Sequence, residues 1–277
     1  MKLNVTHVTA YHYDTPQKAV LQSLRLVPSD FAGQKVIDWR VGIEGGLSGS
    51  RFRDGAGDVT ETWRLRGPVE TMEVKVSGTV DTTDLAGVLR GHREKVPPMA
   101  YLRSTRMTRT DMALAELAET ALEPVEGGST LDKAHALADA IAGAVVFTSG
   151  STTSATTATE ALAEGKGVCQ DFAHLMIAAA IGNGIPARYV TGYLFAGDDA
   201  DVNLAAAAAA SHAWAELFID GLGWVGFDTA NACCPDDRYI RLCSGFDAFD
   251  AAPIRGLASG TGDERLTVAV AVSQEQQ

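Results

Sequence analysis

Residues 165–184 read Gly-Lys-Gly-Val-Cys-Gln-Asp-Phe-Ala-His-Leu-Met-Ile-Ala-Ala-Ala-Ile-Gly-Asn-Gly. A glycine-bearing loop runs into a helix over 168–183. Apolar side chains (Phe172, Leu175, Met176, Ile177, Ala180, Ile181) fall almost all the way round it, the pattern of a central helix buried on every side. Gly182, Gly184 and Pro186 stop it, and Gln170 and Asp171 in its first turn read as capping residues. Cys169 stands at the N-terminal edge, where unpaired backbone N–H groups and the helix dipole favour negative charge. A thiol in such a place ionises more readily when a cation joins it, and the same N–H groups can hold an oxyanion. Taken alone, the segment also fits an inert buried cysteine.

A second segment supplies what such a thiol needs. Ser211–Ile219 alternates as a strand, Asp220-Gly-Leu turns, and Gly223–Asp228 alternates again, so the two form a hairpin. His212, Trp214, Glu216 and Phe218 share one face of the first strand; Trp224, Gly226 and Asp228 share one of the second. A three-residue loop at 220–222 puts Asp228 opposite Trp214 and diagonal to His212, on one face. A two-residue loop puts them on opposite faces. With the odd loop, Cys169, His212 and Asp228 make a nucleophile, a base and a carboxylate that orients the base. Each also has a plain structural reading, His212 as a satisfied histidine near a strand end and Asp228 as a turn carboxylate.

Outward from these segments the chain divides. Residues 1–85 read as an antiparallel β-sandwich or barrel, with strands at 4–13, 20–28, 35–43, 59–66 and 70–80, a Thr15-Pro16 stop and turn clusters at 45–49 and 54–58. Residues 86–110 are a connector. Residues 111–277 are an α+β core: Asp111 caps a helix to about Leu122, Ser129 with Asp132 opens another, 148–157 is a Ser/Thr-rich loop, and 186–195 adds a strand. The alanine run at 205–210 is a helical turn or a loop.

Composition excludes several function classes. The 277 residues are 46% hydrophobic and 21% charged, an ordinary globular balance. With 23 Lys and Arg against 35 Asp and Glu, the net charge of -12 makes nucleic acid and anionic membranes poor partners. No stretch approaches a transmembrane span, and Met1–Asp14 lacks the apolar region and cleavage site of a secretory signal. Cys169, Cys233, Cys234 and Cys243 form neither a C-x-x-C pair nor a disulfide framework, which fits a reducing cytoplasm. The three late cysteines lack the spacing of a zinc site. His7 and His12 point to opposite faces of a strand. No phosphate-binding loop or dinucleotide fingerprint is present, so no cofactor and no metal are expected. His174, about 140° round the helix from Cys169, reads as structural. Arg188 and Tyr193 read as packing or hydrogen-bonding residues, and Arg103, Arg106 and Arg109 as a solvated face.

The run G-V-C-Q-D-F-A-H-L (167–175), then I-P-A-R-Y-V-T-G-Y-L (185–194), H-A-W-A-E-L-F (212–218) and G-W-V-G-F-D (223–228) resembles the bacterial transglutaminase-like cysteine hydrolases of the papain-like group. H-x-T-x-Y-x-Y at His7–Tyr13 and L-R-L-x-P at Leu24–Pro28 resemble the β domain that precedes this core in many members. The resemblance implies a central cysteine-bearing helix packed on an antiparallel sheet, with Cys169 as nucleophile, His212 as base and Asp228 as its partner. It departs from the family at Thr229-Ala230, where Pro-Thr is usual, and in the alanine-rich stretch; both bear on the shape of the cleft. The expected activity is hydrolysis of a peptide or protein amide through a thioester, water being the default acceptor. The alternatives are transfer to an amine, as in a protein-glutamine transglutaminase, and a non-catalytic binding module that keeps the fold; a redox or metal protein built on residues 233–243 ranks last.

Overall fold

A computed structural model describes residues 1–197 and 211–274. The alanine run at 205–210 lies outside the described residues. In chain order the elements are β1 (Lys2–Val27), β2 (Gln34–Ile43), β3 (Leu47–Arg53), β4 (Val59–Thr82), α1 (Met112–Leu122), α2 (Thr130–Ala144), β5 (Val146–Phe147), α3 (Ala158–Glu164), β6 (Lys166–Gly167), α4 (Cys169–Gly182), β7 (Ala187–Leu194), β8 (Ser211–Ile219), β9 (Gly223–Phe227), β10 (Tyr239–Gly245), β11 (Ile254–Ser259) and β12 (Glu264–Gln274).

The N-terminal strands are longer than their alternation suggests. The segments at 4–13 and 20–28 are one strand, β1, and those at 59–66 and 70–80 are one strand, β4. Thr15-Pro16 does not end β1. It falls in a register irregularity between His12 and Gln17, where the ladder does not require the N–H that proline lacks. Across that irregularity the buried positions switch from odd (Leu3, Val5, Tyr11, Tyr13) to even (Val20, Leu24, Leu26), so both halves of the strand feed one core. β2 and β3 pair with successive halves of β4, completing one edge of a six-stranded antiparallel sheet.

The expectation that all of 111–277 builds the core is corrected by the C-terminal strands. β11 pairs with Ala19–Leu24 and β12 with Leu3–Tyr13, both along the free side of β1. The physical reason is that β1, already paired with β4, still presents an unpaired row of backbone groups that a returning hairpin can satisfy.

The remaining chain forms helices on a four-stranded antiparallel sheet ordered β10-β7-β8-β9. The helix starts follow their capping residues: Asp111 accepts from the Leu114 N–H at 2.9 Å, and Ser129 and Asp132 form a capping box. α4 is buried along its whole middle, from Asp171 to Ala180. It packs with α1, α2 and α3 against Ala213, Ala215, Leu217, Val225 and Phe227 of the sheet. The connector is not a free linker. Val88 bridges Val225, and the Leu89 and Gly226 N–H groups bond Trp224 and Gly87 carbonyls, so residues 87–89 cover the β9 edge.

Charged side chains cross between the two sheets. Glu216 takes the guanidinium of Arg188 at 2.7 Å on one oxygen and that of Arg241 at 2.8 Å on the other. Arg241 continues to Asp58 at 2.9 Å, and Asp58 to Arg25 of β1 at 3.0 Å. Glu94 of the connector pairs with Arg188 and accepts from the Trp224 indole, while the Arg188 guanidinium lies 4.0 Å from the centre of the Trp224 ring. Burial alone would raise the Glu216 pKa; Arg241 and Arg188 overcome it and hold the carboxyl down at about 2. His7 completes the seam, bonding the Tyr193 hydroxyl at 2.7 Å through Nδ1 and Thr9 at 2.8 Å through Nε2.

Removing Glu216 leaves two buried guanidiniums without their shared carboxylate. Glu216→Ala is expected to cost about 3–5 kcal/mol in denaturant unfolding, whereas breaking the exposed Arg255–Asp250 pair with Arg255→Ala costs at most about 1 kcal/mol. Equal effects would show that the network carries no special share of the stability.

Candidate active site

Cys169 is the first residue of α4 and is half-buried. The turn before it is fixed by Asp171, whose Oδ2 accepts the Val168 N–H at 2.8 Å and the Thr152 hydroxyl at 2.6 Å. Asp171 is therefore a cap, as its place in the first turn suggests. The N–H groups of Cys169 and Gln170 belong to the first turn, which a helix cannot pair internally.

The hairpin has the odd loop. Ile219 pairs with Gly223 and Ala215 with Phe227, leaving three residues, 220–222, in the turn. The same register sets Asp228 opposite Trp214 and diagonal to His212. The two side chains meet: the Nε2 edge of His212 lies 2.6 Å from Asp228 Oδ2. Trp214 forms the floor, stacked under the imidazole with ring centres 6.4 Å apart and edge-on to Tyr239. Gly192 makes room for it. A Cβ there would sit 2.5 Å from the indole, closer than any side chain tolerates.

Two residues that sequence reading missed complete the site. The Tyr239 hydroxyl donates to Asp228 Oδ2 at 2.8 Å, and the Asn231 amide donates to the same oxygen at 2.7 Å. Three donors thus converge on one carboxylate oxygen. Asn231 had a local signal, since an Asp three residues before an Asn commonly opens a turn; its own N–H bonds Asp228 Oδ1 at 3.3 Å. Tyr239 had none, because it comes from β10, at the opposite edge of the sheet from β9.

The electrostatics follow from these contacts. Burial opposes charge on His212, but the hydrogen bond to Asp228, then the interaction with Cys169, lift its pKa to about 10. Burial likewise opposes the charged form of Asp228, and the bonds from His212, Asn231 and Tyr239 reverse that and hold its pKa below the usual carboxylate value. His212 and Asp228 are joined directly, and Cys169 is close enough to the ring to add to the rise in its pKa. With Asp228 on Nε2, the Nδ1 edge is the one left for the thiol.

Other candidates separate from this cluster. His174 accepts the Ala248 N–H at 3.1 Å, and burial lowers its pKa to about 4; it is a neutral tie between α4 and the segment after β10. Cys233 touches the Tyr239 hydroxyl at 3.4 Å, Cys243 is buried with its thiol pushed up to about 12, and all four cysteines are free. Among the described residues no group of three His, Cys, Asp or Glu side chains is arranged to hold a metal, and no helix is long and apolar enough to cross a membrane. Thr229, where the family usually has proline, bonds the Phe172 carbonyl at 3.3 Å and ties the end of the hairpin to α4.

A family model for the transglutaminase-like superfamily matches residues 117–229, and one for the bacterial transglutaminase-like N-terminal region matches residues 3–81. The chain is 30% identical over 285 residues to an uncharacterized protein of Mycobacterium leprae, with 99% of each covered. The protein belongs to the transglutaminase-like superfamily. A second relative of this superfamily member, an uncharacterized protein of Mycobacterium tuberculosis, is 28% identical over 289 residues, covering 98% of this chain and 91% of the relative. In fold it is similar to a crystal structure described as a "Putative Cysteine Protease from Cytophaga hutchinsonii", with a TM-score of 0.73 and 24% identity over 100% of this chain and 91% of that one.

The raised His212 and lowered Asp228 pKa values link the cluster to stability. The His212 contribution is complete below pH 6.5 and is lost as pH rises through about 10. The Asp228 contribution is present above the ordinary carboxylate range and is lost as pH falls through its lowered value. Tyr239→Phe keeps the ring and removes one charge-assisted bond. It is expected to cost about 1.5–3 kcal/mol at neutral pH and to move the acid-side loss of stability to higher pH, as checked by denaturant unfolding across a pH series.

Proposed function

We propose that the protein is a cysteine-dependent amide hydrolase acting on peptide or protein substrates, with Cys169 as nucleophile, His212 as general base and acid, and Asp228 as the residue that orients and charges the imidazole. The observation that carries this reading is the 2.6 Å bond from His212 to Asp228 beside a cysteine at a helix tip.

The chemistry follows from the positions. In the resting enzyme the thiol proton is already carried by His212 as the imidazolium, and the Cys169 sulfur attacks the amide carbonyl carbon. The carbonyl oxygen gains charge against the first-turn N–H groups. The tetrahedral intermediate collapses as the C–N bond breaks, and His212 gives its proton to the leaving amine. The acyl group is now a thioester on Cys169. Water attacks that thioester with His212 again taking a proton, the acid leaves, and the thiol is restored. Asp228 keeps one tautomer in place and stabilises the imidazolium without itself taking the proton. Water is the acceptor in this reading because hydrolysis needs no second substrate channel; an amine acceptor would make the same thioester the intermediate of a transglutaminase. The four free thiols favour a reducing compartment, and we assign the protein to the cytoplasm, with polypeptide rather than nucleic acid or membrane as its partner.

Incubation with glutamine peptides and an amine probe tests the acceptor: release of free acid is expected to exceed stable amine incorporation, and the reverse would make the enzyme a transferase. Cys169→Ala exchanges one small residue for another and is expected to fold while losing at least about 1,000-fold in rate. Retention of the wild-type rate on a genuine substrate would remove Cys169 from the mechanism.

A further inference from the structure

β5 is only two residues long, yet it lies beside the nucleophile with one edge open. It pairs in parallel with β6, Val146 opposite Lys166 and Phe147 opposite Gly167. The Val146 N–H bonds the Gly165 carbonyl at 2.9 Å and the Thr148 N–H bonds the Gly167 carbonyl at 2.8 Å. In a strand the backbone groups of successive residues face opposite sides. The ladder therefore uses Val146 and Thr148, and the N–H and C=O of Phe147 point away from β6. Both side chains of the strand are exposed, Val146 at 67% and Phe147 at 54%. An outward-facing donor and acceptor flanked by exposed apolar side chains is what an edge strand offers to an added strand.

Its position gives that edge an occupant. Gly167, the partner of Phe147, is two residues before Cys169. The Phe147 ring also stacks on Phe172, 6.5 Å between centres, and Phe172 is one helical turn from Cys169 on the same side of α4. An extended peptide advances about 3.3 Å per residue. A chain with its amide at the Cys169 sulfur thus reaches Phe147 within about two or three residues.

We propose that β5 is a substrate-binding edge: an extended polypeptide substrate pairs with the N–H and C=O of Phe147, lays an apolar side chain on Val146 or Phe147, and so carries its amide to Cys169. This rests on the reading of Cys169 as nucleophile and narrows its substrates to unfolded or extended segments, in preference to small amides. The edge supplies main-chain recognition and tolerates varied sequence.

The probe is an octapeptide with a central dehydroalanine, whose β-carbon adds the Cys169 sulfur, made also in a series with single N-methyl groups along both flanks. On the wild-type protein, N-methylation at one site within three residues of the dehydroalanine is expected to slow labelling at least tenfold. Phe147→Pro removes the outward N–H together with the ring that stacks on Phe172, a backbone change an edge position tolerates; it is expected to slow the parent peptide by a similar factor while iodoacetamide labelling of Cys169 stays within twofold. Phe147→Ala keeps the backbone groups and is expected to keep the N-methyl discrimination. Labelling within twofold of the parent for every N-methylated peptide would overturn the proposal, and that comparison needs no variant to fold. Iodoacetamide reaction at Cys169 no faster than a free thiol, and indifferent to His212→Ala, would instead overturn the nucleophile reading and this proposal with it.

Discussion

Three residues of loop, Asp220, Gly221 and Leu222, set the register on which the site depends. Because side chains alternate along a strand, one residue more or fewer would send Asp228 to the far side of the sheet from His212. With Ile219 paired to Gly223, the carboxylate faces the imidazole and the 2.6 Å bond closes. From that bond follow the charge on His212, the fixed tautomer and the free ring edge turned to the cysteine. The helix contributes the other half. α4 is buried from Asp171 to Ala180, so the helix that carries Cys169 at its tip is held by the core.

The rest of the molecule holds this arrangement rigid. Glu216 lies on β8 only four residues beyond His212, and its carboxylate is gripped by Arg188 of the adjacent β7 and Arg241 of β10 beyond it. Through Asp58 and Arg25 the same network reaches the first sheet. A network of buried charges is costly to assemble, and it tolerates few alternative geometries. Here it fixes β7, β8 and β10 relative to one another, and those strands carry Gly192, His212 and Tyr239. The N-terminal sheet is thus mechanically joined to the site without contributing a reacting group to it.

What was legible in the sequence was local. Helix caps at Asp111 and Ser129, the all-round apolar pattern of 168–183 and the Asp-Gly turn each report on neighbouring residues, and each element formed where its signal lay. The hairpin alternation even allowed a conditional statement about side-chain faces. What was not legible depended on distant partners. β10 reads as a mixed run, Tyr-Ile-Arg-Leu-Cys-Ser-Gly, because it is buried on both faces and its arginine is paired with residues far along the chain. The return of β11 and β12 to β1 is invisible to any window of sequence. Tyr239 escaped notice for the same reason, and α3 was hidden in a Thr- and Ala-rich stretch whose cap at Thr157 resembles the loop before it.

The central claim is that Asp228 charges and orients His212. The most direct measurement is a titration of the His212 ring by NMR, in the wild-type protein and in Asp228→Asn. The account predicts an imidazolium that persists through neutral pH, with a wild-type value close to 10, and a large fall in the variant. A wild-type ring titrating at the ordinary 6.5, unmoved by the substitution, would contradict it.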